Sequence, residues 1–407
     1  MHPRSQTRSI PGTMRHVNST PRKALSVFVA LAFLLALGCA QDKESTSEEE
    51  SASAEKVIDV GAVLPLTGPL AAIGVPEKNM LNLAVERLNE NKNDDYRYTL
   101  TVEDSKGEGS KGATAATKLI DIDEVDVMFV SLTSVAKSVI SNAERAEVPV
   151  IANSLSTGLT SLGENVFRFF PSTTNETSIW LEEAKTKGYD KVGYLYINSG
   201  FAVEEREILS EKLGQRGKSL VAESYEKEDK DFRAQLLKMK RAGVDALIIS
   251  GLGLNYVTIM RQMKELGLNV PVLGDFDFGL AFAQNAAMET DDGLGFYDGV
   301  VFTRINVEQG SEKLQRVREA YSEKYSGDIM DESEAIFFYD AMLLVGDIIA
   351  NMESFSTQAL IEEMANTDVI QGVSGEFQIS GRSADIPLQR AEFVQGEIVE
   401  KETTASR

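Results

Sequence analysis

The chain has 407 residues, 63 of them acidic and 41 basic, for a formal net charge of −22; so negative a surface repels phosphate backbones and argues against nucleic acid as a partner. Its one cysteine is Cys39 and its two histidines are His2 and His16. Beyond Cys39 the chain therefore offers no histidine base, no Ser-His-Asp triad, no thiol nucleophile, no His/Cys zinc site and no disulfide, which points away from an enzyme and from cofactors and leaves stability to core burial.

Arg22 and Lys23 precede an apolar run from Ala24 to Gly38. The run is shorter than the roughly 20 residues that span a bilayer as a helix. A basic start, a short apolar stretch and a small residue before the cut describe an export signal. Leu35-Ala36-Leu37-Gly38-Cys39 resembles the lipobox of bacterial lipoproteins, with Leu37 where a small residue is usual. That resemblance implies a lipoprotein signal peptide over 1–38, lipidation of Cys39 and tethering to a membrane, in the periplasm or at the cell surface. A plain signal peptide or anchor with an incidental cysteine is the alternative. The leader is long, and a start at Met14 gives it ordinary length. Setting aside its five basic residues leaves 36 basic against 63 acidic, a formal charge of −27. Ala40–Glu55 is polar, acidic and without aromatics, the composition of a disordered tether with a reach of about 20–25 Å.

From Val57 onward the chain alternates strand and helix. Val57–Leu64 reads as a buried strand, and Leu81, Ala84, Val85 and Leu88 have the spacing of an amphipathic helix. Tyr98–Val102 is a strand, Ala113–Ile122 a helix, Val125–Val130 a strand, Val135–Arg145 a helix and Val148–Ile151 a strand. After a break near Phe167–Pro171 the alternation restarts: helices over Glu176–Lys187, Val203–Leu213, Phe232–Arg241 and Tyr256–Leu266, and strands over Lys191–Ile197, Ser219–Ser224, Ala246–Ile249 and Val270–Leu273. Two later helices are predicted near Ser311–Tyr325 and Glu334–Asn351. Such alternation predicts an α/β fold of two lobes, each a mainly parallel sheet flanked by helices.

Ligands of open α/β sheets bind beyond the carboxyl ends of the strands. Two hydroxyl-rich loops follow predicted strands, Ser131-Leu132-Thr133-Ser134 and Ala152-Asn153-Ser154-Leu155-Ser156-Thr157-Gly158. The first runs into a helix N-terminus, with its unpaired N–H groups and positive dipole end. Ordinary capping explains either loop alone; the two side by side point to a site that cradles a carboxylate.

Val60-Gly61-Ala62-Val63-Leu64-Pro65-Leu66-Thr67-Gly68-Pro69-Leu70-Ala71-Ala72-Ile73-Gly74 resembles the opening of the leucine/isoleucine/valine-binding protein family, type I periplasmic substrate-binding proteins of ABC transporters. Glu147–Ile151, Val166–Arg168, Asp231–Leu236, Arg241–Leu247 and Gln262–Gly267 extend the likeness, which is good over 57–277 and weak beyond. The resemblance implies a Venus-flytrap cycle in which the hinge closes over a ligand held first by one lobe. It implies lobe 1 from 57–170 plus about 304–385, lobe 2 from 171–303 plus about 386–401, and a tail at 402–407. It also implies a small amino acid or related carboxylate as ligand and an ABC permease as partner. By position the ligand carboxylate would meet Ser134, Leu155 and Ser156, with Thr157 nearby, and the ammonium would meet Asp275 or Asp277. Ile73 and Phe201 stand where amino-acid binders often have tyrosine, and Ile197-Asn198-Ser199 replaces a more acidic loop. These departures suggest a less polar ligand, or drift within a generic pocket. A non-transport lipoprotein of the same fold, a sensor or an envelope-assembly partner, is the rival function.

Other signals are weaker. Gly107-Glu108-Gly109-Ser110-Lys111-Gly112 fits a dinucleotide fingerprint, but it follows the second strand, and Glu103, Asp104 and Glu108 crowd the place of a pyrophosphate; a surface turn is the better reading. Gly251–Tyr256 fails at the third glycine, and the runs Glu48–Glu50 and Asp291–Asp292 lack the spacing of a calcium loop. Trp180 reads as core packing near the hinge, and Arg168 either as a hinge residue or as a solvated edge charge.

Overall fold

The first strand, β1 (Lys56–Leu64), is an apolar run buried from Val60 onward. It belongs to a computed structural model that describes residues 56–91, 95–307, 311–325, 332–384 and 386–401, with backbone alone at 332, 333 and 401. The expected signal peptide, Cys39, the tether and the C-terminal tail lie outside the described residues. After β1 come α1 (Ala71–Asn89), β2 (Tyr96–Asp104), α2 (Gly109–Asp121), β3 (Val127–Ser131), α3 (Thr133–Arg145), β4 (Val150–Asn153) and β5 (Val166–Arg168). Leu81, Ala84, Val85 and Leu88 form the buried stripe of α1, which starts well before it and carries Pro76 inside.

A second run follows: α4 (Thr173–Lys187), β6 (Lys191–Ile197), α5 (Gly200–Gln215), β7 (Ser219–Tyr225), α6 (Arg233–Ala242), β8 (Ala246–Ser250), α7 (Tyr256–Leu266), β9 (Val272–Gly274), α8 (Ala281–Met288) and β10 (Val301–Ile305). Its helices are punctuated as chain chemistry requires. Ser172 Oγ accepts from Asn175 N (3.0 Å) to cap α4, and Gly188, Gly243 and Gly267 end α4, α6 and α7 in the left-handed conformation. The chain finishes with α9 (Glu312–Tyr325), α10 (Glu332–Asn351), α11 (Thr357–Ala365), β11 (Val369–Gln371), β12 (Glu376–Ser380), β13 (Ser383–Ala384), β14 (Leu388–Val394) and β15 (Glu397–Lys401).

These strands make two sheets, in the orders β11-β12-β13-β5-β4-β3-β1-β2 and β15-β14-β10-β9-β8-β6-β7. Both are mostly parallel, with antiparallel pairing only toward the β11 and β15 ends. Because α9 and α10 pack with α1 while β14 pairs with β10, each lobe draws on both halves of the chain. The chain passes between the sheets three times, after β5, after β10 and after β13.

Arg168 sits at the first passage and is buried, not solvated. Its guanidinium donates to Ser383 Oγ (2.7 Å), to the carbonyls of Ser154 (3.2 Å), Pro171 (2.8 Å) and Ala384 (3.3 Å), and to that of Phe170. One side chain thus ties two of the three crossings together. Trp180 is core: it is buried, and its indole donates to the Gly274 carbonyl at 2.8 Å. Gly112 is where α2 comes close to α3, since a Cβ there would lie 2.6 Å from Val135 Cγ1; packing, not phosphate binding, accounts for that glycine.

Candidate functional site

A cavity of about 230 Å³ opens where the carboxyl ends of both sheets face each other. Lobe 1 supplies Ile73 and Glu77 from α1, Ser131–Ser134 between β3 and α3, and Asn153–Leu155 after β4. Lobe 2 supplies Ile197–Ser199 and Phe201 between β6 and α5, Glu226–Glu228 after β7, Gly251 and Leu252 after β8, and Phe276 and Asp277 after β9. Phe170, at the first passage, closes the hinge side: its ring packs edge-on against Phe276 (5.7 Å) and Phe337 (6.0 Å).

Of the residues expected to hold a ligand, Ile73, Ser134, Leu155, Phe201 and Asp277 line this cavity. Ser156, Thr157 and Asp275 do not. Asp275 is buried behind the wall, where its carboxylate accepts from Gly251 N (2.7 Å) and Tyr256 Oη (2.6 Å). Ser156 and Thr157 face a carboxylate of the other lobe: Glu204 of α5 accepts from Ser156 Oγ (2.6 Å), Thr157 N (3.1 Å), Thr157 Oγ1 and Thr173 Oγ1 (2.8 Å). Partial burial opposes ionisation of Glu204, but the hydrogen bonds from Ser156, Thr157 and Thr173 outweigh it and hold its carboxyl below the usual range.

Sequence reasoning missed Glu77 altogether. It is 1 % exposed, and its Oε1 accepts from Ser131 Oγ (2.9 Å) and Asn153 Nδ2 (3.0 Å). Its Oε2 is buried with no hydrogen-bond partner among the described residues. Burial pushes its carboxyl up to about 8 against the pull of those two donors, so at neutral pH it is mostly the protonated acid. Glu204 was missed too, because Glu204-Glu205-Arg206-Glu207 reads as a solvated helix face. Its place near the start of the predicted helix Val203–Leu213 was the available signal; its nearness to the hydroxyl-rich loops comes only from the fold.

Behind the lobe 2 wall lies a second group of acids. Glu176 Oε1 accepts from Thr303 Oγ1 (2.5 Å) and Phe276 N (3.1 Å); Glu205 Oε2 accepts from Tyr194 Oη (2.6 Å) and Ser250 Oγ (2.8 Å). Glu176 Oε2 and Glu205 Oε1 are buried with no donor among the described residues. They are satisfied when one carboxyl keeps its proton and donates to the other. Burial accordingly raises Glu205 to about 7 and Glu176 well above the usual range, the latter also through the charge of Glu205.

On the lobe 1 wall the start of α3 brings Thr133 and Ser134, with the unpaired N–H groups of a first helical turn, to the cavity. Thr133 Oγ1 and Ser154 Oγ share a hydrogen bond of 2.8 Å, which joins the two hydroxyl loops. The rest of the lining mixes apolar side chains such as Ile73, Leu155, Phe170 and Phe201 with polar and charged ones from lobe 2, among them Asn198, Ser199, Glu226, Lys227 and Asp277. Such a site can hold a small molecule with an apolar body and one or two polar groups.

Residues 57–398 match the model of a family described as periplasmic binding protein. The chain belongs to the type I periplasmic binding proteins. The family is one of binding proteins, not enzymes, and implies an extracytoplasmic location. Among curated relatives, Leu/Ile/Val-binding protein homolog 7 of Brucella abortus (strain 2308) is 23% identical over 338 residues, covering 79% of this chain and 84% of that protein. Among solved structures, the leucine binding protein LivK from Thermotoga maritima MSB8 superposes with a TM-score of 0.74 at 21% identity, covering 85% of this chain and 98% of that one. LivJ from Streptococcus pneumoniae str. Canada MDR_19A, in complex with isoleucine, gives 0.71 at 22% identity, covering 85% and 100%. Both share the two-lobed fold expected of a type I binding protein.

Proposed function

We propose that this periplasmic binding protein captures a small, mainly apolar amino acid or related carboxylate between its lobes and delivers it to an ABC permease. The supporting observation is the cavity of about 230 Å³ walled by the strand ends of both sheets. It is smaller than the roughly 300–1,000 Å³ of pockets for drug-sized ligands, which suits a compact guest. Thr133 and Ser134 at the start of α3 would meet the ligand's carboxylate, Asp277 its ammonium, and Ile73, Leu155 and Phe201 its apolar body. Relatives named for leucine, isoleucine and valine favour the same class. The lipobox-like segment before Cys39 adds a lipid anchor to this reading.

The test is thermal unfolding and calorimetry of the purified protein with L-leucine, L-isoleucine, L-phenylalanine and small aliphatic and aromatic carboxylates. One or more should stabilise it, by about 2.7 kcal/mol at 100 times its dissociation constant; silence across the panel refutes the reading. Mass spectrometry of protein from membranes of a lipoprotein-processing host should find diacylglycerol on Cys39.

A further inference from the structure

Ser156 and Thr157 were expected to hold the carboxylate of a ligand, and they hold a carboxylate of the protein. Glu204 takes one backbone N–H and three hydroxyl hydrogen bonds, from Ser156, Thr157 and Thr173. Three of the four donors converge on Oε1 and Ser156 alone reaches Oε2, so both oxygens of this carboxylate are engaged and each of these donor groups is occupied. Ser156 is 1 % exposed and Thr173 is fully buried, so water does not readily replace Glu204 at those two hydroxyls, whereas Thr157 is exposed. The bonds run from the tip after β4 in lobe 1, and from the first residue of α4, to α5 in lobe 2. Neither Ser156 nor Thr157 reaches the cavity wall.

We propose that Glu204 is a specificity-determining residue: an internal carboxylate that fills the Ser156–Thr157 donor pair, denies it to the solute, and thereby also clasps the two lobes. For its own anionic end the solute then has the Thr133–Ser134 helix start and, across the cleft, Asn198, Ser199 and Lys227. With fewer donors for a charge, the cleft selects through its apolar wall. The selectivity clause rests on the reading of the cavity as a solute site; the occupancy of the donor pair by Glu204 does not.

The experiment uses the full chain, with Glu204→Ala to vacate the donor pair and sodium acetate as probe, against sodium chloride at matched ionic strength. Acetate should raise the unfolding midpoint of the variant saturably, by about 2 °C or more, and should leave the native protein at its chloride value. Adding Ser156→Ala to Glu204→Ala should abolish the acetate effect. Equal acetate responses in native and variant proteins, or none in a folded variant, overturn the proposal. Glu204→Gln keeps the side-chain volume but loses the charge and one acceptor. It guards against a variant that does not fold, and should enlarge the radius of gyration in small-angle scattering; an unchanged radius also counts against the clasp. Failure of every solute in the panel would refute the transport reading while leaving the acetate result standing.

Discussion

Glu204 and Glu205 are neighbours in α5 with opposite chemistry. About 100° of helical rotation turns the first toward the cleft rim, where hydroxyls and an amide from the far lobe surround it and keep it ionised. The second points into lobe 2, fully buried, where it accepts from Tyr194 and Ser250 and shares a proton with Glu176. The rim carries charge between the lobes, and the interior stores acids in neutral form. The lesson is that an acid's role here depends on the donors within reach, since type and sequence position are nearly identical.

The largest effect should come from breaking the interior acids. Among the described residues, Asp275 is the acceptor of both the buried Gly251 N–H and the buried Tyr256 hydroxyl. Asp275→Ala strands both donors, and at about 1–3 kcal/mol for each unsatisfied buried group it should cost roughly 3–5 kcal/mol in urea unfolding. Asp275→Asn, which keeps an acceptor, should cost clearly less. Equal losses would mean that the carboxylate's hydrogen bonds are not what holds this wall.

A pH profile sharpens the same contrast. Burial pushes Glu77 up to about 8 and Glu205 to about 7 in the folded protein, against 4.5 for an ordinary glutamate. Between those limits the folded protein keeps protons that the unfolded chain has released. Stability therefore falls as pH rises from about 4.5 to 8, by on the order of a few kcal/mol. Glu77→Gln should remove its share of that slope. Glu204 works in the opposite sense: its folded carboxyl is held below the usual range, so its contribution is present at neutral pH and is lost as pH falls through that lowered value. Denaturant midpoints from pH 4 to 8 should show the native protein declining toward the basic end, with Glu204→Gln flattened at the acidic end. A profile rising from pH 5 to 8 would contradict the assignment of neutral interior acids.

The fold was legible because burial of parallel strands demands long apolar runs. β6 and α7 match their predicted ranges, and most other elements of the two alternating arrays fall within a few residues of theirs. What escaped was short or context-dependent: β5 is three residues long, α8 eight, β11–β13 two to five, and β14 and β15 are antiparallel strands recruited by a sheet built elsewhere. The hydroxyl loops were visible as a pair, but which of their hydroxyls reach the cavity was not. Ser134 lines it, while Ser156 is drawn aside by a glutamate 48 positions away. Glu77 was hidden because one polar residue in α1 looks solvent-facing until α10 covers that helix.

The smallest expected effect concerns the backbone that aims the first hydroxyl loop. Leu132 has φ 74° and ψ 133°, a conformation that suits glycine and strains any residue with a Cβ. Its N–H is tied to the Asn153 carbonyl (3.1 Å) and its carbonyl accepts from Ala136 N (2.9 Å), so the strain is fixed from both sides. The kink brings Thr133 and Ser134 to the cavity at the first turn of α3 and puts the leucine side chain in the wall beside them. Replacing Leu132 by alanine keeps the strain and loses the side chain; replacing it by glycine loses both. Leu132→Gly should therefore be more stable than Leu132→Ala by about 1 kcal/mol, the reverse of the order at an ordinary position, and urea midpoints of the two variants decide it. If alanine proves the more stable, this turn is relaxed, and the hydroxyls of α3 owe their aim to the Thr133–Ser154 hydrogen bond.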